Sequence, residues 1–113
     1  MIGPVATAFE VLAEPNRRRI LDLLSLGERP VGDLVETLAV SQPAVSKHLR
    51  VLREEGFVES RIDAQRRLYR LRPQRLREID EWLAPYRSLW SRSLDALEAH
   101  LDAVAQEERQ HER

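Results

Sequence analysis

One short run of the chain has residue types and spacing suited to gripping a nucleic acid: Ser41, Gln42, Pro43, Ala44, Ser46, Lys47, His48 and Arg50. Place residues 41–55 on a helix with Val45 at the centre of its inner face. Leu49 and Leu52 then fall within about 40° of it at about 100° per residue. Pro43, Ser46, Lys47 and Arg50 fall on the opposite side, with Gln42 and Ala44 flanking the N-terminal end. Small residues permit close approach, amides and hydroxyls suit base edges, and cations suit phosphates. Lys47 or Arg50 has the reach for a guanine edge and Gln42 the geometry for adenine, while Ser41 and Ser46 suit phosphates or bases. An ordinary amphipathic surface helix also carries a polar outer face, so this run alone leaves both readings open. His48, at the flank of the inner face, is either a phosphate contact at the groove edge or a packing residue. No nucleophile or carboxylate partner that would make it catalytic is identifiable, and the chain is not expected to be an enzyme.

Charge is distributed in a way that favours the first reading. The chain has 113 residues, a net charge of −1 and no cysteine. Residues 1–40 carry four Arg against six acids, and residues 76–113 carry five against nine. Between them, residues 41–75 carry nine Lys/Arg against four acids. Phosphate binding depends on the local patch rather than the total. The absence of cysteine excludes disulfides and thiolate metal sites and makes a cytoplasmic setting the simplest expectation. No apolar run reaches membrane-spanning length, and no signal peptide is expected from the N-terminus.

Periodicity supplies the elements that must position this run. A short helix is expected over 4–13, with Val5, Phe9 and Leu12 on one stripe. A second is expected over 16–26, entered by Pro15 and stopped by Gly27. A third spans 31–38, where Val31, Leu34, Val35 and Leu38 share a face. A three-residue turn, Ala39–Ser41, joins it to the helix over 41–55, which is helix-turn-helix spacing. After Gly56 the period drops to about two, so 57–62 and 67–71 read as strands. The turn between them, Asp63–Arg66, contains no glycine, which favours a four-residue over a two-residue loop. Arg61, Arg66 and Arg67 lie at or near the hairpin tip, as a second nucleic-acid contact or as a solvated tip.

From Pro73 a near-heptad stripe runs through Leu76, Ile79, Leu83, Tyr86, Trp90, Leu94, Leu97, Leu101 and Val104, a helix over about 73–107. Pro85 is expected to kink it rather than split it, and residues 106–113 are expected to fray. Trp82, Tyr86, Leu89, Trp90, Leu94 and Leu97, with Val5, Phe9 and Leu12, are expected to form an intersubunit core, because one small domain cannot cover so much apolar surface. The expected architecture is a single dimeric domain over 1–113. It is mainly α with a small two-stranded antiparallel β wing over about 57–71, a winged helix-turn-helix.

The run Leu12-Ala13-Glu14-Pro15-Asn16-Arg17-Arg18-Arg19-Ile20-Leu21-Asp22-Leu23-Leu24 resembles the second-helix signature of the ArsR/SmtB family of winged-helix repressors. The run from Val40 to Val58 resembles its recognition helix and first wing strand, and Arg67-Leu68-Tyr69-Arg70-Leu71 its second wing strand. The resemblance implies a homodimer that represses transcription, with first and last helices at the interface and two recognition helices in successive major grooves of an imperfectly palindromic operator. Members of the branch it most resembles often regulate neighbouring genes, including their own. Metal-sensing members carry cysteines before the recognition helix, where this chain has Arg29-Pro30-Val31-Gly32-Asp33-Leu34. Others bind zinc through a last-helix pattern whose equivalents here are Gln74, Leu76, Arg87 and Trp90, none a normal zinc ligand. A later copy of the spacing, Glu98-x-His100 and His111, lies far down the chain. No metal, cofactor or small-molecule effector is expected. The competing reading is a winged-helix module that binds protein and has lost DNA; acidic or bulky residues on the outer face would mark it, and Ser46, Lys47 and Arg50 argue against it.

Overall fold

A computed structural model describes residues 4–111, with side chains for residues 6–111. The elements run α1 (Pro4–Leu12), α2 (Pro15–Leu24), β1 (Arg29–Pro30), α3 (Val31–Leu38), α4 (Gln42–Glu54), β2 (Val58–Asp63), β3 (Arg66–Leu71) and α5 (Gln74–His111). The fold is a winged helix-turn-helix: mainly helical, with a small antiparallel sheet. The chain divides into two compact units, one ending at Ile79 and the other beginning at Asp80.

In the first unit, the helical and strand periodicities converge on one core. Ile20, Leu21 and Leu24 of α2 meet Leu34 and Leu38 of α3, and Val45, Leu49 and Leu52 of α4, with Phe57 from the α4 exit and Val58 and Tyr69 from the sheet. The expected inner face of α4 is the observed one, and all three of its residues are fully buried. On α1 the outcome differs from the expected stripe. Ala8 and Val11 are the buried residues, Leu12 packs only in part against the same core, and Phe9 is 41% exposed. The Val5 side chain lies outside the described residues.

Helix ends are fixed by local chemistry. Glu14 accepts a hydrogen bond from the Asn16 amide at 2.9 Å, with Pro15 opening α2. The three arginines that follow tie α2 to its neighbours. Arg17 and Arg18 donate to the last carbonyls of α1, Val11 at 3.4 Å and Leu12 at 2.6 Å. Arg19 donates to the Leu38 carbonyl at the end of α3, at 3.4 Å. Cations at helix C-termini complement both the free carbonyls and the helix dipole. The α3–α4 turn has Ala39 in the left-handed region, φ 55° and ψ 38°, its amide closing on the Val35 carbonyl. Ser41 then caps α4 by accepting from the Ala44 amide at 3.3 Å.

The exit of α4 is a Schellman motif. The Phe57 amide returns to the Leu52 carbonyl at 2.8 Å and the Gly56 amide to Arg53 at 3.1 Å, with Gly56 at φ 80°. Phe57 and Leu52, the two positions whose apolar side chains such motifs bring together, are both fully buried in the one core cluster.

The sheet differs from expectation in two respects. It has three strands, in the order β1-β3-β2, because Arg29 and Pro30 pair with Tyr69 and Leu68. A two-residue strand leaves no periodic signal, and its register is set only by the partner. The hairpin loop is two residues, Ala64-Gln65, rather than four, since Asp63 and Arg66 are themselves paired. Ala64 supplies the positive φ, 57°, that glycine normally provides at the first loop position.

α5 continues from its first residue to His111 without a break at Pro85. Pro85 therefore does not split it, and residues 106–111 are helical rather than frayed. Leu76 and Ile79 pack in part against the core of the first unit. Beyond them, α5 has no buried residue: Trp82 is 44% exposed, Trp90 58% and Leu94 65%. Trp82 and Tyr86 lie with ring centroids 5.0 Å apart. No helix among the described residues is long and apolar enough to cross a membrane.

Candidate nucleic-acid interface

α4 presents Gln42, Pro43, Ser46, Lys47 and Arg50 to solvent, as the 100° wheel requires. The sheet presents Arg67 and Tyr69 on one face of β3, two residues apart. Together they border an open groove of about 400 Å³, lined by Pro43, Ser46, Lys47, Arg50, Arg53, Arg67 and Tyr69. The helix and the wing thus contribute to one concave, polar surface.

Ion pairing sorts the nine cations of residues 41–75 into two groups. Arg61 grips Glu28 with two hydrogen bonds, at 2.7 and 2.9 Å. Arg66 lies 3.7 Å from Asp63 across the hairpin turn. Arg70 pairs with Glu59, and Arg72 lies 3.9 Å from the same carboxylate. Arg75 pairs with Glu78 at 2.7 Å, lies 4.0 Å from Glu55 and stacks on the Phe57 ring at 5.7 Å. Lys47, Arg50, Arg53 and Arg67 make no ion pair with any described residue. All four unpaired cations line the groove.

The other expected residues have mixed surroundings. Ser41 is occupied as the α4 cap. Ala44 is half-buried beside it. His48 is half-buried, and its Nδ1 is buried without a hydrogen-bond partner among the described residues, so its body packs against the protein. Arg61 and Arg66 are engaged by carboxylates of the chain itself. For Glu28, the Arg61 hydrogen bond holds the carboxyl below its ordinary value near 4.5, with the charges of Arg61 and Arg70 adding to the effect.

Two groove residues were missed by the sequence reading. Arg53 follows Arg50 by three, which puts it one helical turn further along the same face. Tyr69 follows Arg67 by two, which puts both on one face of β3. Each signal was present in the spacing.

The residues do not fit the last-helix zinc pattern considered from the sequence. Gln74, Leu76, Arg87 and Trp90 offer no imidazole, carboxylate or thiolate. Glu98 and His100 are two apart on one continuous helix, about 200° around it. His100 and His111 are separated by about 16 Å of helix rise. Among the described residues, no group of three or more His, Asp or Glu converges on a point.

The profile described as "Bacterial regulatory protein, arsR family" matches residues 14–60, from the α2 cap into β2. The HTH-type transcriptional regulator Rv2034 of Mycobacterium tuberculosis is 36% identical over 96 residues, spanning 85% of this chain and 87% of that one. This chain belongs to the arsR family. Within the family it also resembles the transcriptional repressor SdpR of Bacillus subtilis, 32% identical over 66% of this chain and 83% of SdpR. Among solved structures, an ArsR-like transcriptional regulator from Rhodococcus sp. RHA1 matches with a TM-score of 0.67 and 30% identity, over 83% of this chain and 89% of that one. The arsR-family protein described here is a DNA-binding transcriptional regulator.

Proposed function

We propose that this regulator is a homodimeric repressor that reads an imperfect palindrome with two copies of α4. In each copy, Lys47, Arg50, Arg53 and Arg67 neutralise phosphates around the groove, while Gln42 and Ser46, with Lys47 or Arg50, reach base edges. The carrying observation is that the four cations left unpaired by the fold line one groove. Ser41, Pro43 and Ala44 shape the N-terminal approach of α4, and His48 flanks the same contact, whereas Arg66 shares the Leu68 face of the wing with Arg61 and is left to Asp63. The protein acts in the cytoplasm by binding, without a catalytic step or bound metal. The chain works as one functional unit, residues 1–79 reading DNA and the remainder of α5 joining two copies.

The exposed face of α5 supports the dimer. Tyr86, Leu89, Trp90, Leu94 and Leu97 are each 45–65% exposed, and Leu101 and Val104 continue the stripe. So long an apolar stripe marks a protein contact, and a second copy of the same helix offers a matching one. Phe9 and Trp82 are exposed at 41% and 44% and are covered in the same association. Two recognition helices then address half-sites about 34–36 Å apart. The repressor reading draws on SdpR, and autoregulation makes the chain's own upstream region the first DNA to test.

The test titrates that region against random DNA in about 0.1–0.2 M salt, where specific and non-specific binding separate. A specific complex is expected, and Lys47→Ala and Arg50→Ala each weaken it by about 1–3 kcal/mol. Equal affinity for random DNA, or unchanged affinity in both variants, sinks the reading.

A further inference from the structure

Arg61 sits on the wing but faces away from the groove. In β2 it is the register partner of Leu68, and cross-strand partners share a face of the sheet. Arg67 and Tyr69, the β3 residues that line the groove, flank Leu68 in sequence and therefore occupy the opposite face. A cation on the Leu68 face cannot join the four in the groove.

The same register explains what Arg61 does instead. Leu68 is only 6% exposed, yet it stands outside the central core cluster. It lies in the middle strand, with Pro30 of β1 on one side and Arg61 of β2 on the other. Glu28 lies two residues before Pro30. The Arg61–Glu28 pair, bidentate at 2.7 and 2.9 Å, therefore spans from β2 over Leu68 to the segment leading into β1. Pro30 is followed directly by Val31, the first residue of α3. The pair joins the wing to the entry of the helix-turn-helix across a strand that both flank. The Arg61 side chain is held by Glu28 through hydrogen bond and charge together, which also raises its own pKa.

We propose that Arg61 and Glu28 form a brace that positions the wing, so that Arg67 is held over the groove, and that Arg61 is not itself a DNA contact. Arg61 is thus a positioning residue whose partner is an acid 33 positions away. The proposal rests on the groove reading above, in which Arg67 meets phosphate.

The experiment measures operator affinity and its salt dependence for full-length Arg61→Ala, Glu28→Gln, the double variant, the exchanged pair Glu28→Arg/Arg61→Glu, and Arg67→Ala. If the brace operates, Arg61→Ala and Glu28→Gln weaken binding equally, by roughly two- to fivefold for an exposed bidentate pair. The double variant is no weaker than either single one. The exchanged pair recovers most of the loss, and in all four brace variants the salt slope stays at its wild-type value, because the brace changes how often the wing is in place and the bound state still holds Arg67 on phosphate. Two results overturn the brace: a flatter slope in Arg61→Ala, by about 0.9 for each copy, which marks a lost phosphate contact, or tighter binding by Glu28→Gln, which marks Glu28 as a competitor for a DNA-binding arginine. Arg67→Ala keeps the two readings separable, because an unchanged slope there refutes the groove assignment itself.

Discussion

Neutralising Arg53 offers a direct measurement of the groove. Arg53 has no ion pair among the described residues, lies on the solvent face of α4, and lines the groove with Lys47, Arg50 and Arg67. Each phosphate neutralised lowers the slope of log K against log salt by about 0.9. Four such cations in each copy, about eight in a dimer, give a slope near −7. Between about 0.05 and 0.2 M salt, affinity then falls by about 2 × 10⁴. Arg53→Ala removes one cation from each copy, so the slope relaxes to about −5 and the same salt interval costs only about 2 × 10³. Fluorescence anisotropy on a labelled operator duplex, at protein concentrations where the oligomeric state is constant, measures both slopes. Arg70→Ala is the control: Arg70 is equally cationic but pairs with Glu59, and its removal leaves the slope near −7. Because Arg53 is exposed, its loss shifts folding stability by no more than about 0.5 kcal/mol, so a changed slope reports DNA contact. An Arg53→Ala slope equal to wild type, or an Arg70→Ala slope flattened as much as that of Arg53→Ala, refutes the division into paired and unpaired cations.

Ala64 at φ 57° sits where an L side chain costs about 1–2 kcal/mol. Ala64→Gly relieves that strain against a loss of about 0.4–1 kcal/mol from a freer unfolded chain; chemical denaturation is expected to give a net gain of about 0.5–1 kcal/mol, and a loss would mean the tip is not strained. On α5, Leu94→Glu places a charge in the middle of the exposed stripe. Sedimentation is expected to show wild type as a dimer and this variant as a folded monomer with weakened operator binding, since α5 has no buried residue whose packing is disturbed; a variant that still sediments as a dimer would locate the contact elsewhere. Glu28 has its carboxyl held below its ordinary value, so its contribution to stability is fully present above about pH 4.5 and is lost as pH falls through the lowered value. Denaturation of wild type and Glu28→Gln is expected to show a constant difference above about pH 4.5 that closes below it; a difference that widens on acidification would reverse the sign.

How much of this was legible in the sequence depends on the range of the determining contact. The inner face of α4, the Ala39–Ser41 turn and the Gly56 exit follow from interactions spanning at most five residues, and each was readable from spacing and residue type. The tight hairpin was not, because Ala64 adopts a backbone region that its identity disfavours; the antiparallel register of β2 and β3 overrides it. β1 was not, because two residues carry no period and their pairing is decided by Tyr69 and Leu68, some forty positions away. On α1, spacing identified an apolar stripe but could not say that Ala8 and Val11, rather than Phe9, turn to the core.

The division of the arginines falls at the far end of that scale, and it carries the functional argument. By residue type, Arg61, Arg66 and Arg67 are equivalent wing cations within seven positions. Arg66 is tempered by Asp63 three positions away, which local sequence does show. Arg61 is taken by Glu28, which only a folded three-stranded sheet can bring within reach. Arg67 remains, and the alternation of β3 turns it to the groove. A chain of net charge −1 can therefore still present a cationic surface, because the fold cancels positive charge on one face of the wing and leaves it uncancelled on the other. That selective cancellation predicts that the operator senses four cations per copy, although nine lie in the basic middle of the sequence.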